Sequence, residues 1–454
     1  MSDKLAIIAA KLSARAIRAI GAGLGSNLPG RLARSVSPGV LAKLTSQCRR
    51  GVLAVSGTNG KSTTSGLIFS ILQRAGLKAA HNRQGANLVT GITASLIEAS
   101  DWDGHIDVDY CLFEVDEASL PVVAAEVELS AVVVTNLFRD QLDRFGELDT
   151  TARLINEGMQ RYRSRAVLNA DDPNVAQLGQ DCQRTFYGIQ SLSEQSRAPQ
   201  SKGPLELSYC AQCGREYDYS LVFYGQLGHY NCPACGHARP VPDVSAQEVN
   251  VQHNRSTFLL MVGDEAVRVN LPLPGLFNVY NALAAAALAY RLGIPAVTIE
   301  DGLTNYVTLF GRSERLTIEG KSVLIQLIKN PAGASQVVSS LVNDQSARVL
   351  IAINDNLADG RDVSWLWDAD FELLADHTKP ILVSGQRAQD MAVRMKYAGL
   401  PADQIIVVPA LAQALRQVLA ATGPEETLWV LPTYTCLLEL QKILKSMGYT
   451  LSGT

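Results

Sequence analysis

Apolar residues along this chain fall into short, nearly continuous runs separated by longer stretches of mixed character. The runs at 52–56, 110–115, 129–135 and 164–169 are rich in valine, leucine and alanine, and a helical pattern over 61–75 follows the first. An unbroken apolar run predicts a strand buried on both faces, and strands alternating with helices predict a parallel sheet covered on each side. The rhythm breaks over about 200–245, where the chain is polar and lacks helical spacing, and returns in an Ala-rich helix at 282–291. A second alternation follows, with strands near 323–328, 347–353, 380–384, 404–408 and 427–431 and helices near 333–342, 386–398, 410–421 and 435–446. The expected fold class is α/β throughout, with ligands gathering beyond the carboxyl ends of the strands.

Before the first strand, residues 4–20 predict a helix with lysines and arginines on one side and Leu and Ile on the other. Such a helix either lies on a membrane surface or packs on its own domain. Gly21 to Gly39 is rich in Gly, Ser and Pro and reads as a connecting loop. With 454 residues the chain exceeds one core, and the pattern divides it into a helical segment at 1–50, a central unit at 51–311 with an insertion at about 205–240, and a carboxyl-terminal α/β unit at 312–454.

Composition narrows the function classes. Net charge is −4, so no global basic field recommends nucleic acid as a partner. No apolar run reaches the roughly 18 residues that span a bilayer, and the amino terminus has no cleavable signal pattern, so a cytoplasmic location is expected. Cys48, Cys111, Cys182 and Cys436 are scattered singly, as reduced core thiols are.

Two motifs carry chemistry. The stretch Gly57-Thr58-Asn59-Gly60-Lys61-Ser62-Thr63 leaves the first strand and enters a helix. Its glycines let successive N–H groups converge on one anion at a helix N-terminus, Lys61 reaches the outer phosphates, and the Ser62 hydroxyl is placed to ligate Mg²⁺. Only two residues separate the glycines, against four in the usual phosphate loop, so this is a shortened ATP-binding variant. The second motif is Cys210-x-x-Cys213-Gly214 with Cys232-x-x-Cys235-Gly236, the spacing of a four-thiolate zinc ribbon. A structural Zn²⁺ is expected in preference to two disulfides or free thiols. His237 is a competing ligand, but four cysteines suffice.

The compressed loop resembles that of the Mur ligases and folylpolyglutamate synthases, which phosphorylate a carboxylate and then couple it to an amine. Thr135-Asn136-Leu137 through Gly146 resembles a further family segment, with Gln141 where a metal-binding His is common. No lysine lies between Arg144 and Gln200, so the carbamylated lysine of many family members is also missing. Asn169 to Pro173, Asn278 with Asn281, and Gly311-Arg312 match other family positions, and the usual uridine-nucleotide domain does not fit into about 50 residues. Lys329 to Ser335 and Asn354 to Asp368 resemble the Mur-type ligase subunits that amidate lipid II.

The resemblance implies ATP-dependent amidation of the α-carboxylate of D-glutamate in lipid II to D-isoglutamine, in peptidoglycan synthesis. It implies Mg²⁺ on Ser62 and Glu114, adenine-side Asn278 and Asn281, and a phosphate-side Arg312. Asp116 and Glu117, just after Glu114, read instead as solvent-facing or substrate-adjacent. Ammonia is expected from a GatD-like glutaminase partner, because the chain has no nucleophile elbow and no Cys/His pair of its own. Asp355 is then the residue that completes the partner's Cys-His-Asp triad; by composition alone it is a turn-forming Asp. Two other readings compete: a stand-alone amino-acid ligase, and an ATPase whose ribbon docks nucleic acid or protein. Only Arg215 and Arg239 flank the cysteines in 210–240, which disfavours nucleic acid.

Overall fold

The computed structural model describes residues 2–19, 27–82, 86–138, 148–196, 209–252, 254–307, 312–342, 344 and 346–449. Two sheets carry the chain. The first is built from β1 (Gly51–Ser56), β2 (Ala79–His81), β3 (Tyr110–Glu114), β4 (Leu129–Val134), β5 (Arg165–Asn169) and β6 (Arg184–Ile189). A separate hairpin, β7 (Asp218–Tyr224) and β8 (Leu227–Asn231), interrupts it before β9 (Val244–Val251), β10 (Ser256–Val262) and β11 (Glu265–Leu271) complete it. The spatial order is β11-β10-β9-β6-β5-β4-β1-β3-β2.

The apolar runs are the central strands, as their composition requires. Along β1, Leu53 and Val55 face one core and Val52 and Ala54 the other. One face is covered by helices Lys61–Arg74 and Leu276–Arg291, the other by Val89–Ala99, Leu120–Glu126 and Leu148–Gln160. Helix Leu276–Arg291 is buried without interruption from Asn278 to Ala289, and its alanines let it approach the sheet closely. It begins six residues earlier than its alanine run suggests, because Gly275 turns at φ +94° and the Asn278 side chain bonds the Pro274 carbonyl at 2.7 Å.

The sheet is parallel from β2 to β9, but β10 pairs antiparallel with both β9 and β11. The expected parallel sheet is present, and the antiparallel edge is an addition to it that the sequence reading did not contain. The missed signal is the two-residue Gly263-Asp264 turn between Val262 and Glu265, a hairpin dipeptide.

The second sheet holds β12 (Arg312–Ile318), β13 (Lys321–Gln326), β14 (Arg348–Ala352), β15 (Ile381–Ser384), β16 (Ile405–Val407) and β17 (Thr427–Pro432). Its order is β12-β13-β17-β14-β15-β16, parallel except for the β12/β13 hairpin, with separate cores on its two faces.

The amino-terminal region is more structured than its composition indicates. Helix Ser2–Ala19 packs through Ala6, Ile7 and Ala10. Within the stretch read as a loop, Leu28–Val36 is a helix, with Pro29 in its first turn, and Val40–Thr45, just after it, is another. Pro is favourable at a helix start, and Gly30 is there for closeness: a Cβ on it would stand 1.8 Å from the Thr90 carbonyl oxygen. Among the described residues no helix is long and apolar enough to cross a membrane.

The contact at Gly30 supplies a test. Gly30→Ala drives a methyl into the backbone of a packed helix and should cost about 1–3 kcal/mol or more. Gly39→Ala, where a Cβ meets nothing within 4 Å, should stay within about 0.5 kcal/mol of wild type. Thermal denaturation of the pair separates them.

Candidate active site

Parallel register brings the carboxyl ends of β1, β3 and β4 level: Val55 pairs with Glu114 on one side and Val133 on the other. The loop after β1 therefore opens between two strand ends. Gly57 turns at φ +117° and Gly60 at φ +84°, conformations that favour glycine. A Cβ on Gly57 would meet Thr135 Oγ1 at 2.4 Å, and one on Gly60 would meet Asn281 Oδ1 at 2.0 Å.

Residues after β4 brace the loop. Thr58 N donates to the Asn136 carbonyl at 2.9 Å and Asn59 N to Asn136 Oδ1 at 3.0 Å. Thr135 Oγ1 and Asn136 Nδ2 both donate to the Asn59 carbonyl, at 2.7 and 3.1 Å. Thr135 and Asn136 were legible only as family letters; their work is to hold the backbone of Thr58 and Asn59. Positions 139–146 of that segment, including Gln141, lie outside the described residues.

Lys61 is buried. Its Nζ donates to Glu117 Oε1 at 2.7 Å and to the carbonyls of Gly57 and Thr58 at 2.5 and 3.3 Å. Burial alone would disfavour the ammonium, but the carboxylates of Glu117, Asp116 and Glu114 outweigh it and hold its pKa above the ordinary lysine value. Glu117 is thus no solvent-facing residue. The turn after β3, in which Ser119 N and Leu120 N donate to the Asp116 carbonyl, accompanies its burial against Lys61.

Glu114 is itself buried at the end of β3, where Asn82 bonds both its N–H and its carbonyl at 2.8 Å. The Ser62 hydroxyl is buried with no hydrogen-bond partner among the described residues. An orphaned oxygen in a loop of this shape is what a phosphate-bound metal would use, so the donor set fits Mg²⁺.

Asn278 and Asn281 are both buried, Asn281 Nδ2 donating to Asn278 Oδ1 at 3.2 Å. Thr64 Oγ1 donates to Asn281 Oδ1 at 3.3 Å, so Asn281 packs against the loop from the helix side. The Arg312 side chain lies outside the described residues. Asp171 and Asp172 are buried away from solvent: Asp171 pairs with Arg239 at 2.5 Å and Tyr280 at 2.7 Å, and Asp172 accepts from Leu137 N at 2.9 Å.

The second sheet reaches the same loop. Asn330 caps helix Pro331–Leu341 through Gly333 N at 2.9 Å, and its Nδ2 donates to Asn59 Oδ1 at 2.9 Å. Lys329 Nζ lies 3.4 Å from the Thr58 carbonyl. Asp355 follows β14 and lines an open groove of about 610 Å³ with Asn356, Leu357, Ala358, Arg361 and Gln386. Arg387 donates twice to Asp355 Oδ2, at 2.9 and 2.6 Å, while Oδ1 accepts from no group among the described residues.

The sulfurs of Cys210, Cys213, Cys232 and Cys235 all lie within 4.8 Å of one another. The Cys210–Cys235 and Cys213–Cys232 separations are 3.7 and 3.5 Å, near the spacing of about 3.8 Å that four thiolates 2.3 Å from one zinc would have, and far from a disulfide. Gly214 and Gly236 take positive φ at the two knuckles, and His237 is engaged by Tyr217 at 2.8 Å. The ribbon rests on the loop's own support: Gln226 Nε2 donates to the Leu137 carbonyl at 2.7 Å, Tyr224 stacks on Phe138 at 5.8 Å, and Phe138 N donates to Thr58 Oγ1 at 3.1 Å.

A compressed phosphate loop facing a second α/β unit defines the class as a Mur-type ligase. The Mur ligase middle domain matches residues 55–238 and 219–289, and the MurT ligase C-terminal family matches 327–437. The chain is 39% identical over 405 residues to the lipid II isoglutaminyl synthase (glutamine-hydrolyzing) subunit MurT of Staphylococcus aureus strain N315, covering 88% of each. To the corresponding subunit of Streptococcus pneumoniae it is 33% identical, covering 93% of each. In fold it is similar to a pseudomurein peptide ligase type C from Methanothermus fervidus, with TM-score 0.70 at 22% identity over 89% of this chain and 80% of that one. The Mycobacterium tuberculosis folylpolyglutamate synthase gives 0.61 at 13% identity, over 91% and 95%. The chain belongs to the Mur ligase family, in its MurT branch.

Removing the Ser62 oxygen deletes a buried hydroxyl that bonds nothing among the described residues. Ser62→Ala should therefore leave the melting temperature unchanged or slightly raised. A clear drop would mean that the hydroxyl serves the fold.

Proposed function

We propose that this chain is the ligase subunit of a two-chain enzyme that converts the D-glutamate α-carboxylate of lipid II to the amide, at the expense of ATP and with ammonia released from glutamine by a GatD-like partner. The observation that carries the reading is the pairing of the phosphate loop, Lys61 and Ser62 beside Glu114, with a chain-wide similarity to subunits whose names state both lipid II and glutamine hydrolysis. We take 1–50, 51–311 and 312–454 as its domain boundaries.

In this scheme a carboxylate oxygen attacks the γ-phosphorus as the bond to ADP breaks, giving an acyl phosphate. The ammonia lone pair then attacks the carbonyl carbon, phosphate leaves, and a proton is lost to give the amide. The N–H groups of Thr58 to Thr63 and the Lys61 ammonium stabilise charge on the transferring phosphoryl group. Lys61 exchanges its Glu117 contact for phosphate oxygens. Ser62 Oγ and Glu114 would hold Mg²⁺, which neutralises phosphate charge when bound. Asn278, Asn281 and Arg312 are assigned to the nucleotide's remaining contacts.

Asp355 is assigned to the partner. Its Arg387-held carboxylate lines an open groove, and an Asp in that setting can fix an imidazole tautomer and stabilise the imidazolium formed when a thiol is deprotonated. A lipid-linked substrate implies work at the inner membrane face. The four-cysteine cluster is assigned a structural Zn²⁺.

The assignments separate experimentally. Lys61→Ala should lower amidation at least about 10²-fold with either nitrogen source, as loss of a transition-state charge contact does. Asp355→Asn should lose most glutamine-dependent amidation while keeping the rate with free ammonia; equal loss with both would move Asp355 into the ligase site. Metal analysis should return one zinc per chain, and Cys210→Ser should lower thermal stability. No zinc in fresh protein would remove that assignment.

A further inference from the structure

The first fifty residues hold nine lysines and arginines against one acid, Asp3, whereas the remainder has thirty-one against forty-three. That cationic charge sits on a region with an apolar exterior. Helix Ser2–Ala19 turns Ala6, Ile7 and Ala10 inward and leaves Leu5 and Leu12 more than half exposed. Helix Leu28–Val36, packed against it, buries Pro29, Gly30 and Ala33 and exposes Leu28, Leu32 and Val36, which at four-residue spacing form one stripe. Trp102 is exposed beside them, with the Arg15 guanidinium 4.7 Å and Lys11 Nζ 5.7 Å from its ring centre.

Large aliphatics exposed on two packed helices are not what a solvated surface needs. Lys4, Arg34 and Lys43 are paired with Asp103, Glu126 and Asp3, and Arg49 and Arg50 with Asp107 and Asp109, but Arg15 and Arg31 make no ion pair among the described residues. Aliphatic stripes flanked by basic residues, with a tryptophan ringed by cations, combine the chemistry of an anionic lipid–water interface: apolar groups for the acyl boundary, cations for the headgroups, an indole between them.

We propose that the exposed face of these two helices docks the protein on an anionic bilayer. Leu5, Leu12, Leu28 and Leu32 enter the headgroup boundary, while Arg15 and Arg31 meet lipid phosphates. The inference deepens the reading of a lipid-linked substrate, and its first test contains no such substrate, so the two can fail separately.

The full chain is floated with vesicles of phosphatidylcholine alone or with about 30% phosphatidylglycerol. Binding should appear with the anionic vesicles, fall at least about tenfold on raising salt from 0.1 to 0.5 M, and fall as far in Leu12→Asp/Leu32→Asp, whose melting temperature should not change. A second arm measures ammonia-dependent amidation. The variant should raise KM for lipid II in vesicles while leaving kcat and KM unchanged for a soluble short-chain analogue. No flotation of wild type, or flotation indifferent to the double substitution, overturns the proposal. So does a wild-type dimer in light scattering that the substitutions dissolve without changing flotation, since a second copy would then cover the face. Flotation as expected with no amidation of either substrate leaves the docking face standing and removes the assigned reaction.

Discussion

A buried ammonium among carboxylates is the constraint around which this molecule is arranged. Taking Lys61 out of water is unfavourable by several kcal/mol unless opposite charge and hydrogen bonds offset it. Glu117 accepts directly, Asp116 and Glu114 add their fields, and two loop carbonyls turn inward to the same nitrogen. Those carboxylates arrive together only because β1 and β3 run parallel and in register, so the sheet is the device that assembles the charges. The arrangement also leaves a cation held by groups it can exchange for phosphate oxygens.

Around that centre the supports come from distant parts of the chain. Thr135 and Asn136 hold the loop's backbone, Asn281 closes it from the helix side, and Phe138 passes it a hydrogen bond while resting on Tyr224 of the cysteine ribbon. The ribbon is therefore part of the wall behind the loop. Its Arg239 reaches the buried Asp171, and Gln226 reaches Leu137. Removing one partner of such buried pairs leaves the other unpaired, which typically costs more than the pair contributes.

Both sheets were legible because each central strand is an apolar run whose partners are also apolar runs, so pattern and burial coincide. The phosphate loop and the cysteine pairs were legible because their chemistry depends on short spacing. What escaped depended on contacts far along the chain. Gly30 looks like a loop residue until Thr90 is set against it. Glu117 looks exposed until Lys61, 56 positions away, is packed on it. The strand at 256–262 hid because Phe258, Leu259, Leu260 and Met261 are all apolar, which conceals an alternation of buried and half-buried positions.

The paired amides of Asn59 and Asn330 join the tip of the phosphate loop to the helix cap of the second sheet. Neutral hydrogen bonds of this kind contribute only about 0.5–1.5 kcal/mol each once competition with water is counted. They are not alone, since Lys329 Nζ lies 3.4 Å from the Thr58 carbonyl and Ala332 packs on the core of the first sheet. Because one end of each hydrogen bond is the loop itself, a change of angle between the sheets would pull directly on Thr58 and Asn59, which makes these contacts a mechanical gauge of how far the two halves stand apart.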